Sequence, residues 1–380
     1  MNDVYITRIT KFLPNSPVTN DEMEHLLGFI NNKASRAKRI ILRNNGIKTR
    51  YYAIDKDGQY THNNAQLTEE AVKKLFDKTF TVDDIELLSC GTSSPDQLLP
   101  AHSSMVHGYL GGKNFEVNTA SGICCSGMSA MKYGYMSVKS GDKRNAVCTG
   151  SEKASSWLHS DKFAAEFDNS EDIENLETQP IIAFNKDFLR WMLSDGAGAV
   201  LLQNKPEGDF PLKIEWIDGY SYANELEACM YAGGDKLENG HIKPWRQYSQ
   251  EDWLKESIFS IKQDVKLLDE NILKKGCESF KLVLEKHQLD HSDIDYFLPH
   301  ISSIYFKEKL HNLMKENNVE VPWEKWFMNL PKVGNVGSAS VYLMLEELVA
   351  LGKLKKGQKI FLSVPESGRF TYMYALLTVC

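Results

Sequence analysis

The segment "SGICCSGM" (residues 121–128) places two thiols, Cys124 and Cys125, side by side at a turn rich in glycine and serine. A stretch with helical periodicity follows, through Met128 and Met131. The start of a helix carries partial positive charge and free N–H groups, which stabilise a thiolate. We therefore expect the pKa of a thiol at this helix start to be lowered, which suits a nucleophile in covalent catalysis.

Adjacent residues at such a turn cannot face the same way, so one thiol is expected in a pocket and the other in packing. The run of cysteine, small residue, glycine and hydrophobic residue begins at Cys125. We assign Cys125 as the nucleophile and Cys124 as its packed neighbour. Taken alone, the doublet is also compatible with two buried, inert cysteines.

Two residues far along the chain could assist such a nucleophile. His300 follows the apolar run "YFLP" (296–299), and the end of a buried strand is where α/β proteins place active-site groups. Asn335 lies between glycines in "VGNVGS" (333–338), where it could donate its amide to an oxyanion or simply form a turn. Papain-like proteases also use Cys, His and Asn, but their signal peptide and disulfides find no counterpart here.

The composition narrows the class of protein. The chain has 380 residues, 42% hydrophobic and 25% charged, which favours a globular protein of two domains or of one duplicated domain. Seven irregularly spaced cysteines predict neither a disulfide framework nor a metal site. A net charge of −7 argues against nucleic-acid binding. With no signal peptide and no apolar run of about 20 residues, we expect a cytoplasmic protein without a membrane span.

Residues 124–152 and 335–368 follow one plan. Each begins at a turn of small residues, continues into an apolar-periodic helix that ends near a glycine, and reaches a short strand closed by an acidic residue. This repetition predicts a duplicated α/β fold. We expect an N-terminal half over residues 1–205 that carries the cysteines and a C-terminal half over residues 206–380 that carries the histidine and asparagine.

Short apolar runs bounded by turn residues predict buried strands between the helices. They lie at residues 85–93, 145–151, 198–204, 295–300 and 359–364. Residues 153–190 and 219–256 fit neither half and are interpreted as excursions. Segments of that length commonly form lids or binding walls.

Six motifs in order resemble those of the thiolase-superfamily condensing enzymes, and most of all β-ketoacyl-acyl-carrier-protein synthase III. The motifs are "NNGIKTRYYA" (44–53), "CSGM" (125–128), "SDGAGAVLL" (194–202), "HISS" (300–303), "GNVGSAS" (334–340) and "ESGRFTYMYALL" (366–377). The resemblance spans nearly the whole chain. It implies a five-layered αβαβα fold made of two similar halves, usually in a homodimer.

The resemblance also implies roles for residues. Cys125 would take an acyl group from a thioester, and His300 and Asn335 would bind the carbonyl oxygen of a second thioester and assist its decarboxylation. The resulting enolate would attack the acyl-cysteine. The backbone N–H of Cys125 and the Ser367–Gly368 turn would form the oxyanion hole. Thioesters of acyl-carrier-protein phosphopantetheine or of coenzyme A would be the substrates, with no other cofactor.

Some residues depart from the family pattern. "HISS" lacks the asparagine of the family's "HQAN", and Glu366 and Arg369 stand where ordinary members have glycines. These departures favour a specialised branch in secondary metabolism, such as the one that makes dialkylresorcinol or cyclohexanedione precursors. Glu152, in "TGSEKA" (149–154), stands where that branch has a glutamate proposed to help cyclisation. It is a candidate auxiliary base or hydrogen-bond partner.

Three alternatives stay open. The chain could pass the cysteine-bound acyl group to a hydroxyl or amine on the same scaffold. It could be the synthase III that initiates fatty acid synthesis. It could also be a non-catalytic subunit that binds acyl-carrier protein, although the intact set of Cys125, His300 and Asn335 argues against that.

Overall fold

A computed structural model describes residues 1–29, 34, 35, 37–160, 189–208 and 211–380. Most of the excursion predicted at residues 153–190 lies outside the described residues. The second predicted excursion, residues 219–256, is described and contains three short strands and a short helix. The predicted boundary at residues 205 and 206 falls between two consecutive strands, which end at Gln203 and begin at Leu212.

The described strands, numbered in chain order, begin and end as follows: β1 Tyr5–Phe12, β2 Val18–Thr19, β3 Thr49–Arg50, β4 Leu87–Thr92, β5 Glu116–Ser121, β6 Asn145–Glu152, β7 Gly196–Gln203, β8 Leu212–Ser221, β9 Met230–Tyr231, β10 Gly234–Lys236, β11 Ile242–Pro244, β12 Lys262–Gln263, β13 Tyr296–Pro299, β14 Lys359–Glu366 and β15 Thr371–Val379. All five runs predicted as strands are strands, namely β4, β6, β7, β13 and β14.

The described α-helices are α1 Met23–Leu27, α2 Lys38–Asn45, α3 Asn64–Lys73, α4 His102–Leu110, α5 Ser126–Ser140, α6 Ser155–Leu158, α7 Gln250–Lys255, α8 Val265–Lys286, α9 Tyr305–Glu316, α10 Leu330–Val333 and α11 Ser340–Ala350. Helix α5 ends at Gly141, which adopts a left-handed conformation with φ 86°. Glycine is favoured there because it has no Cβ to clash. The predicted end of α5 is confirmed.

Nine of the described strands form one sheet in the order β13-β14-β15-β8-β1-β7-β6-β4-β5. In the N-terminal part, β4 and β6 are parallel, β6 and β7 antiparallel, and β7 and β1 antiparallel. The same pattern recurs as β13 with β14, β14 with β15, and β15 with β8. The duplication predicted from the sequence is therefore visible in the strand order.

The two half-sheets join through a short antiparallel pairing of Tyr5 with Lys213 and Ile6 with Leu212. Helices α5 and α11 lie between the half-sheets, because each contacts strands of both. Helices α3 and α4 cover the outer face of the N-terminal half-sheet, and α8 and α9 cover that of the C-terminal one. These are the five layers of the predicted αβαβα fold.

Candidate active site

The cysteine doublet lies where β5 leads into α5. The hydroxyl of Ser126 donates to the carbonyl oxygen of Ile123 at 2.6 Å, and the backbone N–H of Ser129 donates to the carbonyl of Cys125 at 2.9 Å. Cys125 is thus the cap residue of α5, and its backbone is already helical, with φ −75° and ψ −12°. The sequence prediction of a thiol at a helix start is correct.

The α5 start is locked against the turn that precedes α11. A Cβ on Gly127 would lie 2.2 Å from the carbonyl oxygen of Ser338, and one on Gly150 would lie 2.3 Å from the same atom. Only glycine permits this approach. The hydroxyl of Tyr342 donates to the carbonyl of Gly127 at 2.8 Å. These contacts bring the cysteines of the N-terminal half next to the Asn335 segment of the C-terminal half.

The two thiols have different surroundings. Cys125 is 3% exposed, and its thiol donates to the carbonyl oxygens of Val364 at 3.2 Å and Thr371 at 3.5 Å. Cys124 is only partly buried and lines the large cavity described below, whereas Cys125 is absent from the described lining. Cys124 thus borders the cavity, whereas the sequence analysis assigned Cys125 to the pocket and Cys124 to packing.

The expected lowering of the thiol pKa is not found. Burial raises the pKa of both Cys124 and Cys125 well above its ordinary value, and the neighbouring carboxylate of Glu366 raises it further. The charge of Glu152 adds to the effect on Cys124. The helix start favours the thiolate less than desolvation and the nearby carboxylates disfavour it. Both thiols are therefore protonated before substrate binds.

His300 follows β13 directly, as predicted, and its backbone N–H donates to the carbonyl of Ser363 on β14 at 2.8 Å. Its side chain is buried and lines the cavity. Burial lowers the pKa of the imidazole to about 4. At neutral pH the ring is uncharged and offers one N–H donor and one acceptor nitrogen.

Asn335 lies in the segment between α10 and α11 and also lines the cavity. Its backbone is fixed on both sides, because its N–H donates to the carbonyl of Met192 at 3.0 Å and its carbonyl accepts from Ser194 at 2.9 Å. The side-chain oxygen accepts from the N–H of Gly337 at 3.0 Å. This leaves the Nδ2 group, which has no partner among the described residues, to donate to a ligand.

Glu152 ends β6 and is almost fully buried. Its carboxylate accepts from the backbone and hydroxyl of Ser93 at 3.1 and 2.7 Å, from the hydroxyl of Ser94 at 2.6 Å and from the N–H of Ser338 at 3.2 Å. Burial raises the pKa of this carboxyl despite the hydrogen bonds. Both oxygens are engaged in holding two turns beside the cavity.

Glu366, to which the sequence analysis gave no catalytic role, ends β14 and enters the same site. One carboxylate oxygen, Oε2, accepts from the backbone N–H groups of Ile123 at 2.9 Å and Cys125 at 3.0 Å. Burial raises the pKa of this carboxyl. The acidic residue that closes each repeated unit was the sequence signal that could have pointed to it.

The backbone groups predicted for the oxyanion hole are close to the cavity but not equally available. Ser367 and Gly368 both line it. The N–H of Cys125, however, is already bonded to Glu366. The N–H of Cys124 has no hydrogen-bond partner among the described residues.

These groups share a cavity of about 550 Å³. At one end lie Cys124, Glu152, His300, Asn335 and Glu366. The cavity continues between the C-terminal half-sheet and helices α8 and α9, where the walls are mainly apolar: Leu268, Ile272, Leu273, Phe280, Phe306, Leu310, Met314 and Tyr374. A polar end with a long apolar extension suits a ligand with a reactive head and a hydrocarbon chain.

Residues of the remaining motifs stabilise the fold through hydrogen bonds. Asp195, in "SDGAGA", accepts from the backbone of Ala53 at 2.7 Å and from the backbone of Ser155 at 2.8 Å. The guanidinium of Arg50 is fully buried and donates to Asn20 at 2.9 Å. No group of three or more His, Cys, Asp or Glu side chains suited to a metal ion occurs in the described ranges, and no helix described there could cross a membrane.

Comparison with solved structures identifies the fold. The chain aligns with AbyA1, a tetronic acid condensing enzyme, at a TM-score of 0.74 and 19% identity over 99% of both chains. It aligns with OleA of Xanthomonas campestris, solved with bound lauric acid and lauroyl-CoA, at a TM-score of 0.72 and 19% identity, again over 99% of both chains. The fold is that of the thiolase-like condensing enzymes.

Sequence comparison finds similar enzymes. Residues 284–376 match the C-terminal family model of 3-oxoacyl-acyl-carrier-protein synthase III. The β-ketoacyl-acyl-carrier-protein synthase III of Rickettsia prowazekii is 26% identical over 359 residues, 94% of each chain, and that of Clostridium perfringens is 25% identical over 370 residues, 96% of each. The chain is thus similar to synthase III enzymes over nearly its whole length, in agreement with the resemblance of the motifs.

Proposed function

We propose that this protein joins two acyl thioesters by a Claisen-type condensation through an acyl-cysteine intermediate. The observation that carries the proposal is the cavity, in which a thiol of the doublet, a neutral imidazole and the Asn335 amide adjoin a long apolar extension. Such a site can hold an acyl chain, receive its carbonyl carbon on sulfur and stabilise charge on a second carbonyl.

His300 and Asn335 would act on the second thioester. A ring N–H of His300 and the Nδ2 group of Asn335 would donate to its carbonyl oxygen. When a malonyl-type donor loses CO₂, negative charge develops on that oxygen, and fixed donors stabilise it. The enolate carbon then attacks the acyl-cysteine carbonyl, the new carbon–carbon bond forms, and the cysteine sulfur leaves and regains a proton.

The apolar extension supports a substrate with a hydrocarbon chain longer than acetyl. Nearly all of its walls between α8, α9 and the half-sheet are aliphatic or aromatic, so a chain would be stabilised there by burial of its apolar surface. We propose a specialised condensing role in aryl-lipid or other secondary metabolism, with acyl-carrier protein or coenzyme A delivering each thioester in the cytoplasm. Initiation of fatty acid synthesis is the alternative within the same family.

A homodimer is also proposed. Strand β5 lies at the edge of the sheet and pairs only with β4 among the described strands, and its residues are mostly half-buried. An edge strand with unpaired backbone groups can pair with a second copy. Sedimentation equilibrium tests this, since a single species with the mass of one chain, 43.2 kDa, would contradict it.

Product analysis tests the proposed reaction. The protein is incubated with lauroyl-CoA and malonyl-CoA, and CO₂ and the new thioester are measured. We expect release of CO₂ together with a β-ketoacyl product. His300→Ala and Asn335→Ala should each lower condensation by about 100- to 1000-fold while the acyl-enzyme still forms. Cys380→Ser is the control, because Cys380 is not among the residues that line the cavity.

Two other outcomes would contradict condensation. Transfer of the lauroyl group to a hydroxyl or amine acceptor without CO₂ release would show an acyltransferase instead. Absence of any acyl adduct with malonyl-CoA, lauroyl-CoA and acetyl-CoA would favour a non-catalytic role. The same product analysis with malonyl-carrier protein separates delivery by carrier protein from delivery by coenzyme A.

The proposed chain-binding region has its own test. Leu310, on α9, lines the apolar extension, and Leu310→Trp should narrow it. We expect kcat/KM to fall for lauroyl-CoA more than for acetyl-CoA. Leu282→Trp is the control, because Leu282 lies on α8 and is 42% exposed. An equal effect of Leu310→Trp on both substrates would place the chain elsewhere.

A further inference from the structure

We propose that Glu366 is the general base that takes the proton of the cysteine thiol as its sulfur attacks the first thioester. This inference rests on the proposed function and deepens its first step. Glu366 borders the cavity together with Cys124, His300 and Asn335. Both thiols of the doublet are protonated in the free protein, because burial and nearby carboxylates raise their pKa. Acylation therefore needs a group that accepts this proton.

The carboxyl of Glu366 lies directly beside the doublet. Its Oε2 accepts from the backbone N–H groups of Ile123 at 2.9 Å and of Cys125 at 3.0 Å, on both sides of the first thiol-bearing residue. It also lies against two glycines of the cavity wall, since a Cβ on Gly122 would be 3.4 Å from Oε2 and a Cβ on Gly368 would be 3.2 Å from Oε1. The carboxyl is thus held between the turn that carries the thiols and the turn that follows β14.

The second oxygen, Oε1, is available to take a proton. It has no hydrogen-bond partner among the described residues, and it is not one of the fully buried unbonded oxygens found there, so it keeps accessible surface. Arg369 is the one lysine or arginine in the described lining. Its Nε donates to the carbonyl of Leu226 at 2.9 Å, and it forms no ion pair with Glu366 among the described contacts. The charge of Glu366 is therefore not neutralised by this cation.

The other polar side chains at this end of the cavity are poorer proton acceptors. Burial lowers the pKa of His300 to about 4, whereas burial raises the pKa of Glu366 above its ordinary value of 4.5. The carboxylate is therefore the stronger base of the two. Glu152 is the one other carboxylate in the described lining, and both of its oxygens already accept hydrogen bonds. The amide of Asn335 is not basic.

Proton transfer to Glu366 also removes the repulsion that disfavours a thiolate. As an anion, Glu366 raises the pKa of both thiols. When the thiol proton moves to Oε1, the carboxyl becomes neutral, so the pair carries a single negative charge before and after the transfer. The same group that keeps the resting thiol protonated thus lets it react once a thioester is bound.

The acylation step balances without any further reagent. The proton moves from the thiol to Oε1 of Glu366 while the cysteine sulfur bonds to the acyl carbonyl carbon. The bond from that carbon to the sulfur of coenzyme A or phosphopantetheine then breaks. The departing thiolate takes the proton from Oε1, so the carboxylate is restored and no oxidant or reductant is needed.

Two reactions of the same thiols test the assignment. Glu366→Gln keeps an oxygen that accepts the two backbone N–H groups, but its amide does not accept a proton. Wild type and variant are treated with lauroyl-CoA, and the acyl-enzyme is followed by intact mass. We expect acylation to slow by at least about 100-fold, the usual size of general base catalysis. Alkylation by iodoacetamide should become several-fold faster, because a charge that raises the thiol pKa is gone.

The opposite signs of the two changes separate a base from a merely structural group. The matched control is Glu152→Gln, which should slow acylation far less. Acylation of Glu366→Gln at the wild-type rate or faster would overturn the assignment and leave the condensing function intact. A parallel loss of acylation and alkylation would also overturn it, because a damaged turn slows both. No adduct on wild type would overturn the proposed function itself.

A measurement on wild type alone covers the case in which the variant does not fold. Acylation and alkylation are each followed from about pH 5 to about pH 9, where Arg369 stays charged and His300 is neutral over most of the range. Alkylation should keep rising with pH, since it needs the thiolate. Acylation should level off at lower pH, once Glu366 is ionised. Parallel profiles would show that the thioester reacts with a preformed thiolate and would overturn the proposal.

Discussion

Glu152 and Glu366 occupy matching places in the two halves and have different surroundings. Each ends the strand that follows a central helix, β6 or β14, and each accepts an N–H from the helix start of the other half. Both oxygens of Glu152 are engaged by Ser93, Ser94 and Ser338. Glu366 uses only Oε2, and its Oε1 has no hydrogen-bond partner among the described residues.

The difference shows how a duplicated fold can separate two tasks. The fully bonded carboxylate holds the wall of the site, since it ties the 93–94 turn to the segment that carries Asn335. The partly bonded carboxylate lies beside the cysteines, and its charge raises the pKa of Cys124 more than the charge of Glu152 does. Substitutions at the two glutamates should therefore have different effects.

The largest expected effect is on stability. Glu152→Ala leaves buried donors of Ser93, Ser94 and Ser338 without their acceptor, and each such group costs about 1–3 kcal/mol. We expect the free energy of unfolding to fall by about 3 kcal/mol or more, measured by urea denaturation. Glu366→Ala is the matched comparison and should cost about 1–2 kcal/mol, because fewer donors lose a partner. Equal losses would show that the two carboxylates are equivalent.

A smaller effect is expected on thiol reactivity. Glu366→Gln removes a charge that raises the pKa of both cysteines, so more thiolate is present at a given pH. Alkylation of Cys124 by iodoacetamide at pH 7.5 should become several-fold faster, with its pH profile displaced to lower pH. Glu152→Gln should accelerate the reaction less. The reverse order of the two variants would contradict the comparison.

The smallest expected effect is on the pH dependence of stability. Burial raises the pKa of Glu366 in the folded protein above its ordinary value of 4.5. A raised pKa contributes stability that is present below the unfolded value and is lost as pH rises through the folded value. The free energy of unfolding of wild type, minus that of Glu366→Gln, should therefore decrease from pH 4 towards pH 7. A flat or rising difference would contradict the raised pKa, and a matched Glu152→Gln series should give the same sign.

Much of the fold could be predicted from the sequence because its signals are local. Apolar runs between turn residues predicted the strands, and Gly141 predicted the end of α5. The same order of turn, helix, strand and acidic residue in both halves of the sequence predicted the duplication. His300 and Asn335 could be predicted as site residues because each lies at the end of a helix or strand. In this type of fold, residues at such ends lie near the site.

Which of the two cysteines borders the cavity could not be predicted in the same way. Adjacent positions differ by a helix rotation, and that rotation is set by Gly127 meeting Ser338, more than 200 residues away in the chain. The prediction of a lowered thiol pKa was wrong for a related reason. Local sequence predicts the helix start, but the burial and the carboxylate of Glu366 that oppose it come from the other half.

A crystal structure of the enzyme after reaction with lauroyl-CoA tests the account most directly. We predict electron density continuous from a cysteine sulfur of the doublet into the acyl carbonyl. The chain should run between α8, α9 and the C-terminal half-sheet. Absence of an acyl group from both cysteines, or a chain that leaves the cavity in another direction, would contradict it.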